Sequence, residues 1–253
     1  MPDQQQRPSN AGDEPFRFEV FARAPVVEAI LSFRFPPLDN LADTVQALAD
    51  DLRERFTELT VVPESTSQLA IQLAQKAGQE KGFRFRSVDG RHVIRLTRTS
   101  FSFHRLAPYG EWADLAAGAS VAWDCVRHRY EPEYVISASL RYLNEIPIRP
   151  MQDMAEYIVL CPNIPASIDT GFSDYLLRLS LNDRSVPARA EITQLANLRS
   201  SPPMLTFDVE VTSDEGESDT GSSLLWEQVH RLRDYKNRIF FASITERCRE
   251  LFR

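Results

Sequence analysis

Apolar and polar side chains alternate from Val26 to Phe35. Val27, Ala29, Leu31, Phe33 and Phe35 hold one parity, with Glu28, Ser32 and Arg34 on the other. A two-residue period puts successive side chains on opposite faces, so this stretch is expected to be a strand with one face in the core. Pro36 and Pro37 end it, and Asp39 is placed to cap a helix. Leu41, Val45, Leu48, Leu52, Phe56 and Leu59 then recur every three or four residues, which predicts an amphipathic helix reaching Leu59. A linker rich in Gln and Ser follows. The stretch "FRFRSVDGRHVIRL", Phe83 to Leu96, reads as a hairpin about a type I′ turn at Asp89-Gly90. Apolar parity changes from even at Leu96 to odd at Phe101, which requires a bulge or a break into two strands near Thr97 to Ser100. A helix from about Glu111 to Tyr130 buries Trp112, Leu115, Ala119, Trp123 and Val126.

The second half opens as the first does. In "YVISASLRYLNEIPI" the even positions Ile136, Ala138, Leu140, Tyr142, Ile146 and Ile148 form an apolar face, opposite Ser137, Ser139, Arg141 and Glu145. Asn144 breaks the pattern, because it shares the parity of the core face. A short helix is expected around Met151 to Ile158, then three strands at "DYLLRLSL", "ARAEITQL" and "MLTFDVEV". An acidic Gly/Ser loop covers 213–223, and an amphipathic stretch runs from Ser222 to Phe252. That last stretch carries Leu225, Val229, Leu232, Ile239, Ile244, Cys248 and Leu251 on one stripe, either as one helix or restarting near Ser243, where "SITE" resembles a capping box. Unbroken, it would be about 46 Å long, more than one small sheet can cover. Dimerisation through its exposed remainder is therefore expected.

The whole order predicts an α+β fold: an antiparallel sheet with helices packed on one face. It suggests two pseudo-repeated βαβ(β)βα halves, 16–132 and 133–253, after a disordered polar tail at 1–15. The chain has 253 residues and 43% hydrophobic content, enough for a sizeable core. Its formal net charge of −7 argues against general nucleic-acid binding and against adhesion to anionic membranes. Three distant cysteines, Cys125, Cys161 and Cys248, are no disulfide framework, and residues 1–15 lack the apolar run of a signal peptide. The longest apolar-leaning uncharged run, Tyr157 to Ile168, is too short to span a bilayer. A cytoplasmic location without membrane contact is the expectation.

Candidate chemistry gathers in two places. Glu28, Arg141, Asn144 and Glu145 could form a small polar site, with Arg141 as an anion fork and the carboxylates as general acid and base. The favoured account of the same residues is structural: cross-strand ion pairs that set register if the two motif strands are neighbours. Asn144 on the core side must find partners at a cost of about 1–3 kcal/mol otherwise, and a bond to a loop or to the bend before Pro147 is expected. From 84 to 105 arginines crowd: Arg84, Arg86, Arg91, Arg95, Arg98 and Arg105, interleaved with Phe83, Phe85, Phe101 and Phe103. Basic and aromatic residues together can bind nucleic acid, but the strand period puts these rings on the face opposite the arginines. His92, His104, His128 and His230 show no metal-ligand spacing, so no metal is expected. A Ser-His-Asp set remains open because such groups meet only in space. No G-x-S-x-G elbow, P-loop or G-x-G-x-x-G occurs, and no cofactor is expected. Cys161, before Pro162, reads as a reactive thiol or, more commonly for a free cysteine, as a small buried hydrophobe.

The segments "PVVEAI" and "RYLNEI", with the closing "RIFFASITERCRELF", resemble the signatures of a sporadically distributed family of uncharacterised bacterial proteins, from about Phe18 to Phe252. The resemblance implies no catalytic residue. A patchy distribution implies an exchangeable gene of the kind found in defence or toxin–antitoxin loci. The leading expectation is a non-catalytic protein-interaction component of such an accessory system, with a protein partner that includes a second copy of itself. The alternatives are an enzyme or small-ligand binder with a polar site near Arg141 and Glu28, and nucleic-acid binding through the arginine-rich hairpin 83–105. The residues expected to contribute to binding are Glu28, Arg34, Arg84, Arg86, Arg95, Arg141, Asn144 and Glu145.

Overall fold

In a computed structural model, residues 18–63, 81–148, 154–162, 167, 174–183, 186–197, 199, 201–214 and 216–253 are described. The tail 1–15 and most of the Gln/Ser linker lie outside them. The alternating stretches become β1 (Val26–Arg34), β2 (Phe56–Pro63), β3 (Lys81–Ser87), β4 (His92–Leu96), β5 (Ser100–Leu106), β6 (Ser137–Pro147), β7 (Asp174–Asn182), β8 (Ala188–Asn197) and β9 (Met204–Ser213). The helices are α1 (Leu41–Leu52), α2 (Trp112–Tyr130), α3 (Ser223–Ser243) and α4 (Glu246–Glu250). The strands form one antiparallel sheet in the order β2-β3-β4-β5-β1-β6-β9-β8-β7. The expected α+β class, with helices on one face, is what the chain adopts. In each half the first strand pairs with the last, β1 with β5 and β6 with β9, and the β1–β6 seam makes the two halves one sheet.

Parity assigns the faces. Ala29, Leu31 and Phe33 of β1 and Ala138, Leu140, Tyr142 and Ile146 of β6 are buried under the helices. Phe33 sits at the junction, its ring 6.1 Å from Phe101 of β5, 5.0 Å from Trp123 of α2 and 6.0 Å from Trp226 of α3. Two helices from opposite halves thus rest on one side chain, and the other face of the sheet carries no helix among the described residues.

Several boundaries differ from the sequence reading. The first helix ends at Leu52, and Phe56 opens β2 instead of continuing it. Thr57, Thr60, Val61 and Val62 explain this, since β-branched side chains favour an extended backbone where the apolar spacing alone suggested helix. Asn40 in a left-handed conformation, not Asp39, precedes α1, and its side chain makes no cap bond. The 87–90 turn closes through the Gly90 amide on the Ser87 carbonyl, with Val88 and Asp89 between them. Only Gly90 has positive φ there, at 68°, which excludes type I′ and gives a turn followed by a left-handed glycine. Near Thr97 to Ser100 the chain does break into two strands. Of the helix expected at 151–158, residues 151–153 lie outside the described ones, and the rest holds a 3-10 turn, Met154–Glu156.

The final amphipathic stretch restarts after Ser243, and Thr245 caps α4 by accepting from the Cys248 amide. The bend lets the stripe fold back on its own sheet: Leu225, Val229, Leu232, Ile239, Ile244 and Cys248 are all buried, and Leu251 is half-buried against the core. The expected apolar remainder for a helix-mediated dimer is therefore absent from that stripe, because the sheet is wider than a half-chain reading assumed. No described helix is long and apolar enough to cross a membrane.

On α3, Lys236 is buried against β6, with its ammonium 3.6 Å from the centre of the Tyr142 ring. Burial, reinforced by the charge of Arg233, pulls its pKa down to about 7. A lysine depressed on folding contributes stability that is present above its ordinary 10.5 and lost as pH falls towards 7. Lys236→Met is expected to raise the melting temperature at pH 7 by several degrees. The advantage should shrink by up to about 1.4 kcal/mol per pH unit on the way to pH 10, as read by thermal melts across that range.

Candidate functional site

The helix-free face collects the polar parity of every strand. From β1 come Glu28, Ser32 and Arg34; from β5, Ser102 and His104; from β6, Ser139, Arg141 and Glu145; from β9, Asp208 and Glu210. Farther out on the N-terminal side stand Thr60, Arg84, Arg86 and Arg95, and on the other side Glu191, Arg189 and Arg178.

The two motif strands are neighbours, but Glu28 and Arg141 do not pair across their seam. Arg141 lies opposite Ile30 and Glu28 opposite Leu143, and each reaches outward to a different strand. The Arg141 guanidinium forks onto Asp208, with Nε 3.0 Å from both carboxylate oxygens and Nη2 2.6 Å from Oδ2. A bidentate fork of this kind is the strongest common form of the ion pair. Burial raises the Asp208 pKa, and although Arg141 pulls it down, the charges of Glu28 and Glu191 leave it above the ordinary value. Glu210 is raised as well, by burial first, with Arg141 opposing the shift and Asp208 and Glu191 adding to it.

Glu28 turns the other way. His104 Nδ1 stands 2.7 Å from its Oε1, and His104 Nε2 stands 2.9 Å from Ser102 Oγ. An ionised carboxylate can only accept, so the hydrogen on neutral His104 sits at Nδ1 and Nε2 accepts from the Ser102 hydroxyl. Burial pushes the His104 pKa down further than Glu28 raises it, which keeps the ring neutral. Burial also opposes ionisation of Glu28, but the His104 bond and the charges of His104, Arg95 and Arg141 outweigh it and hold its pKa below 4.5. Both groups therefore favour a neutral imidazole donating to a carboxylate. The connectivity is that of a nucleophile, a base and an orienting acid. The surroundings are not those of an acyl-transfer site: β5 is a central strand paired on both sides, so its amides serve the ladder instead of an oxyanion.

The expected residues thus divide. Glu28, Arg95 and Arg141 share one electrostatic neighbourhood around His104. Arg84 faces Arg95 directly across the β3–β4 ladder. Arg34, Arg86 and Glu145 are on the same face but exposed. Asn144 is elsewhere: it is buried on the helix side, and its amide donates to the carbonyls of Tyr142, 3.2 Å, and Phe207, 2.9 Å. It ties β6 to β9 inside the sheet, not to a loop or the Pro147 bend, so its role is structural. Phe83, Phe85, Phe101 and Phe103 are buried in the core, and no Phe, Tyr or Trp stands on the basic face among the described strand residues. Arg98 and Arg105 are drawn off to the Leu38 carbonyl and to His92.

Ser102, His104, Asp208 and Thr60 escaped the sequence reading. The signal for the first two was there: once parity shifts at Phe101, the even positions of "SFSFHRL" face away from the core. Among the described residues no cluster of His, Cys, Asp and Glu could hold a metal ion. A cavity of about 500 Å³ does exist, between α1, α2 and the β3–β4 hairpin, lined by Leu52, Phe56, Phe103, Ala122 and Cys125 with His92 at its rim. It lies on the helix side and shares no lining residue with the polar face.

No family model matches the chain, and no curated protein is detectably similar to it.

The sign of the pH response follows from these shifts. His104 is depressed from 6.5 and Glu28 from 4.5, so each contributes stability that is present above those values and lost as pH falls through the lower folded ones. Melting temperature is expected to drop as pH is lowered from 7.5 to 5, with a further drop below 4.5. His104→Asn, which keeps a donor for Glu28 but cannot be protonated, should flatten the first drop. Thermal melts of both proteins between pH 4 and 8 measure it.

Proposed function

We propose that the protein is a non-catalytic binding component that docks an acidic partner protein on the helix-free face of its sheet. The observation that carries this is an imbalance of charge neutralisation. On the C-terminal side each arginine of the face has its acid: Arg141 with Asp208, Arg178 with Glu191, Arg189 with Asp214. On the N-terminal side Arg34, Arg84, Arg86 and Arg95 have no ion-pair partner among the described residues, although the chain as a whole carries −7. With Glu58 opposite Arg86 as an acid on that side, the surface is still net basic, and such a surface on an acidic protein selects for a complementary partner and speeds its encounter. Farther along the face, Leu176 and Leu195 stand opposite each other, 59% and 41% exposed, and supply apolar area of the kind an interface buries. The resemblance to patchily distributed bacterial proteins supports the setting, a cytoplasmic accessory system of the defence or toxin–antitoxin type. Nucleic acid is the weaker occupant, because the basic face offers no ring for a base to stack on.

In affinity purification of the full chain from its source cells, the Arg34→Glu/Arg86→Glu double variant is expected to lose the co-purifying partner. Glu227→Arg, an exposed charge on α3, should retain it. A partner kept by both variants, or a lone monomer by light scattering in every extract, removes the docking reading.

The Ser102–His104–Glu28 chain favours a second reading, a serine-nucleophile hydrolase, against which the lack of free β5 amides weighs. A fluorophosphonate probe settles it: labelling of Ser102 that is lost in His104→Asn supports catalysis, and an unlabelled protein sinks it.

A further inference from the structure

The Thr60–Arg84–Arg95 row invites a closer look, because it breaks two rules at once. Arg84 and Arg95 are directly opposed on β3 and β4, an arrangement in which like charges repel. Thr60 stands opposite Arg84 on the next strand out, and Ser102 opposite Arg95 on the next strand in. In addition, Thr60 Oγ1, Arg84 Nε and Arg95 Nε are buried atoms with no hydrogen-bond partner. Other arginines with a buried, unpartnered Nε differ, since Arg105, Arg127 and Arg249 each place another guanidinium nitrogen on His92, Asp124 or the Phe241 carbonyl. Arg84 and Arg95 have no such outlet among the described residues. Buried donors left unmade cost about 1–3 kcal/mol each, more when charged. Three adjacent orphans on neighbouring strands, two of them cationic, can be satisfied together by one anion.

We infer that the Thr60–Arg84–Arg95 row is a binding site for a tetrahedral oxyanion of the phosphate-monoester class. Neighbouring strands lie about 4.8 Å apart, so two guanidinium forks on β3 and β4 can close on one anion from both sides. Each fork presents parallel N–H donors, and together they need more acceptor oxygens than a carboxylate has, whereas a phosphate has three terminal ones. The Thr60 hydroxyl adds a neutral donor at one end. At the other end the Ser102 hydroxyl, opposite Arg95 in register, is committed to His104. The phosphate can be free or carried on the docked partner; only the second source rests on the function proposed above.

The probe is inorganic phosphate, titrated against chloride at matched ionic strength and read by calorimetry and thermal melts. The wild-type chain is expected to bind phosphate saturably and to gain several degrees in melting temperature. In phosphate-free buffer Arg95→Gln should melt higher than wild type, because repulsion is relieved. With saturating phosphate the order should reverse, with affinity down about tenfold or more on loss of one charged fork. Arg53→Gln, an exposed arginine at the C-terminal end of α1, should bind as wild type does. Absence of saturable binding to the wild-type chain, or equal binding by Arg95→Gln, overturns the site even if Arg84→Gln misfolds. Partner capture that survives such a failure leaves the docking reading standing. Loss of capture in Arg34→Glu/Arg86→Glu with phosphate binding intact would support both readings. Phosphatase treatment of the captured partner assigns the source: release places the phosphate on the partner, and retention assigns it to a free phosphate compound.

Discussion

Strand β1 is hydrogen-bonded on both sides, to β5 and to β6, and that double pairing leaves each of its residues only two directions. Phe33 points one way and brings Phe101, Trp123 and Trp226 onto a single ring, so both long helices lean on it. Glu28 points the other way and meets His104. A slip of one residue in this strand would exchange those roles, burying a carboxylate and wetting Ala29, Leu31 and Phe33. The helix layer, the polar face and the ionic pairs all inherit their positions from that register.

The contrast between the two sides of the polar face follows from where acids fall in sequence. "MLTFDVEV" supplies Asp208 and Glu210 beside Arg141, and "ARAEITQL" supplies Glu191 beside Arg178. The β3 and β4 segments alternate Phe or Ile with Arg and contribute no acid to the face. Arginine there meets arginine. Such a pairing is tolerated where solvent, a ligand or the nearby carboxylates of Glu58, opposite Arg86, and Glu28 screen the charges.

Much of this architecture is readable from period-two patterning alone. The "PVVEAI" and "RYLNEI" segments give their strands, faces and even the outward placement of Glu28 and Arg141 without coordinates. What periodicity cannot give is partner choice. Glu28 and Arg141 suggested a cross-strand pair, yet the diagonal between Ile30 and Leu143 separates them, and strands β5 and β9 compete successfully for each. The early end of α1 was hidden for a related reason: Phe56 and Leu59 satisfy helical and strand spacing alike, and the β-branched residues that follow decide between them. Asn144 reads as an anomaly in sequence and turns out to be a seam bolt, because one of the carbonyls it bonds belongs to β9 and cannot be seen in one strand by itself.

The position of β1 also sets a timetable for the nascent chain. Its flanking strands end at Leu106 and Pro147, so during synthesis residues 26–34 wait for a first neighbour and then, some forty residues later, for a second. Throughout that interval one edge of the most apolar strand in the protein is bare, a template for pairing with whatever strand is nearest. The register that organises the finished sheet is thus complete only once both flanking strands have been made.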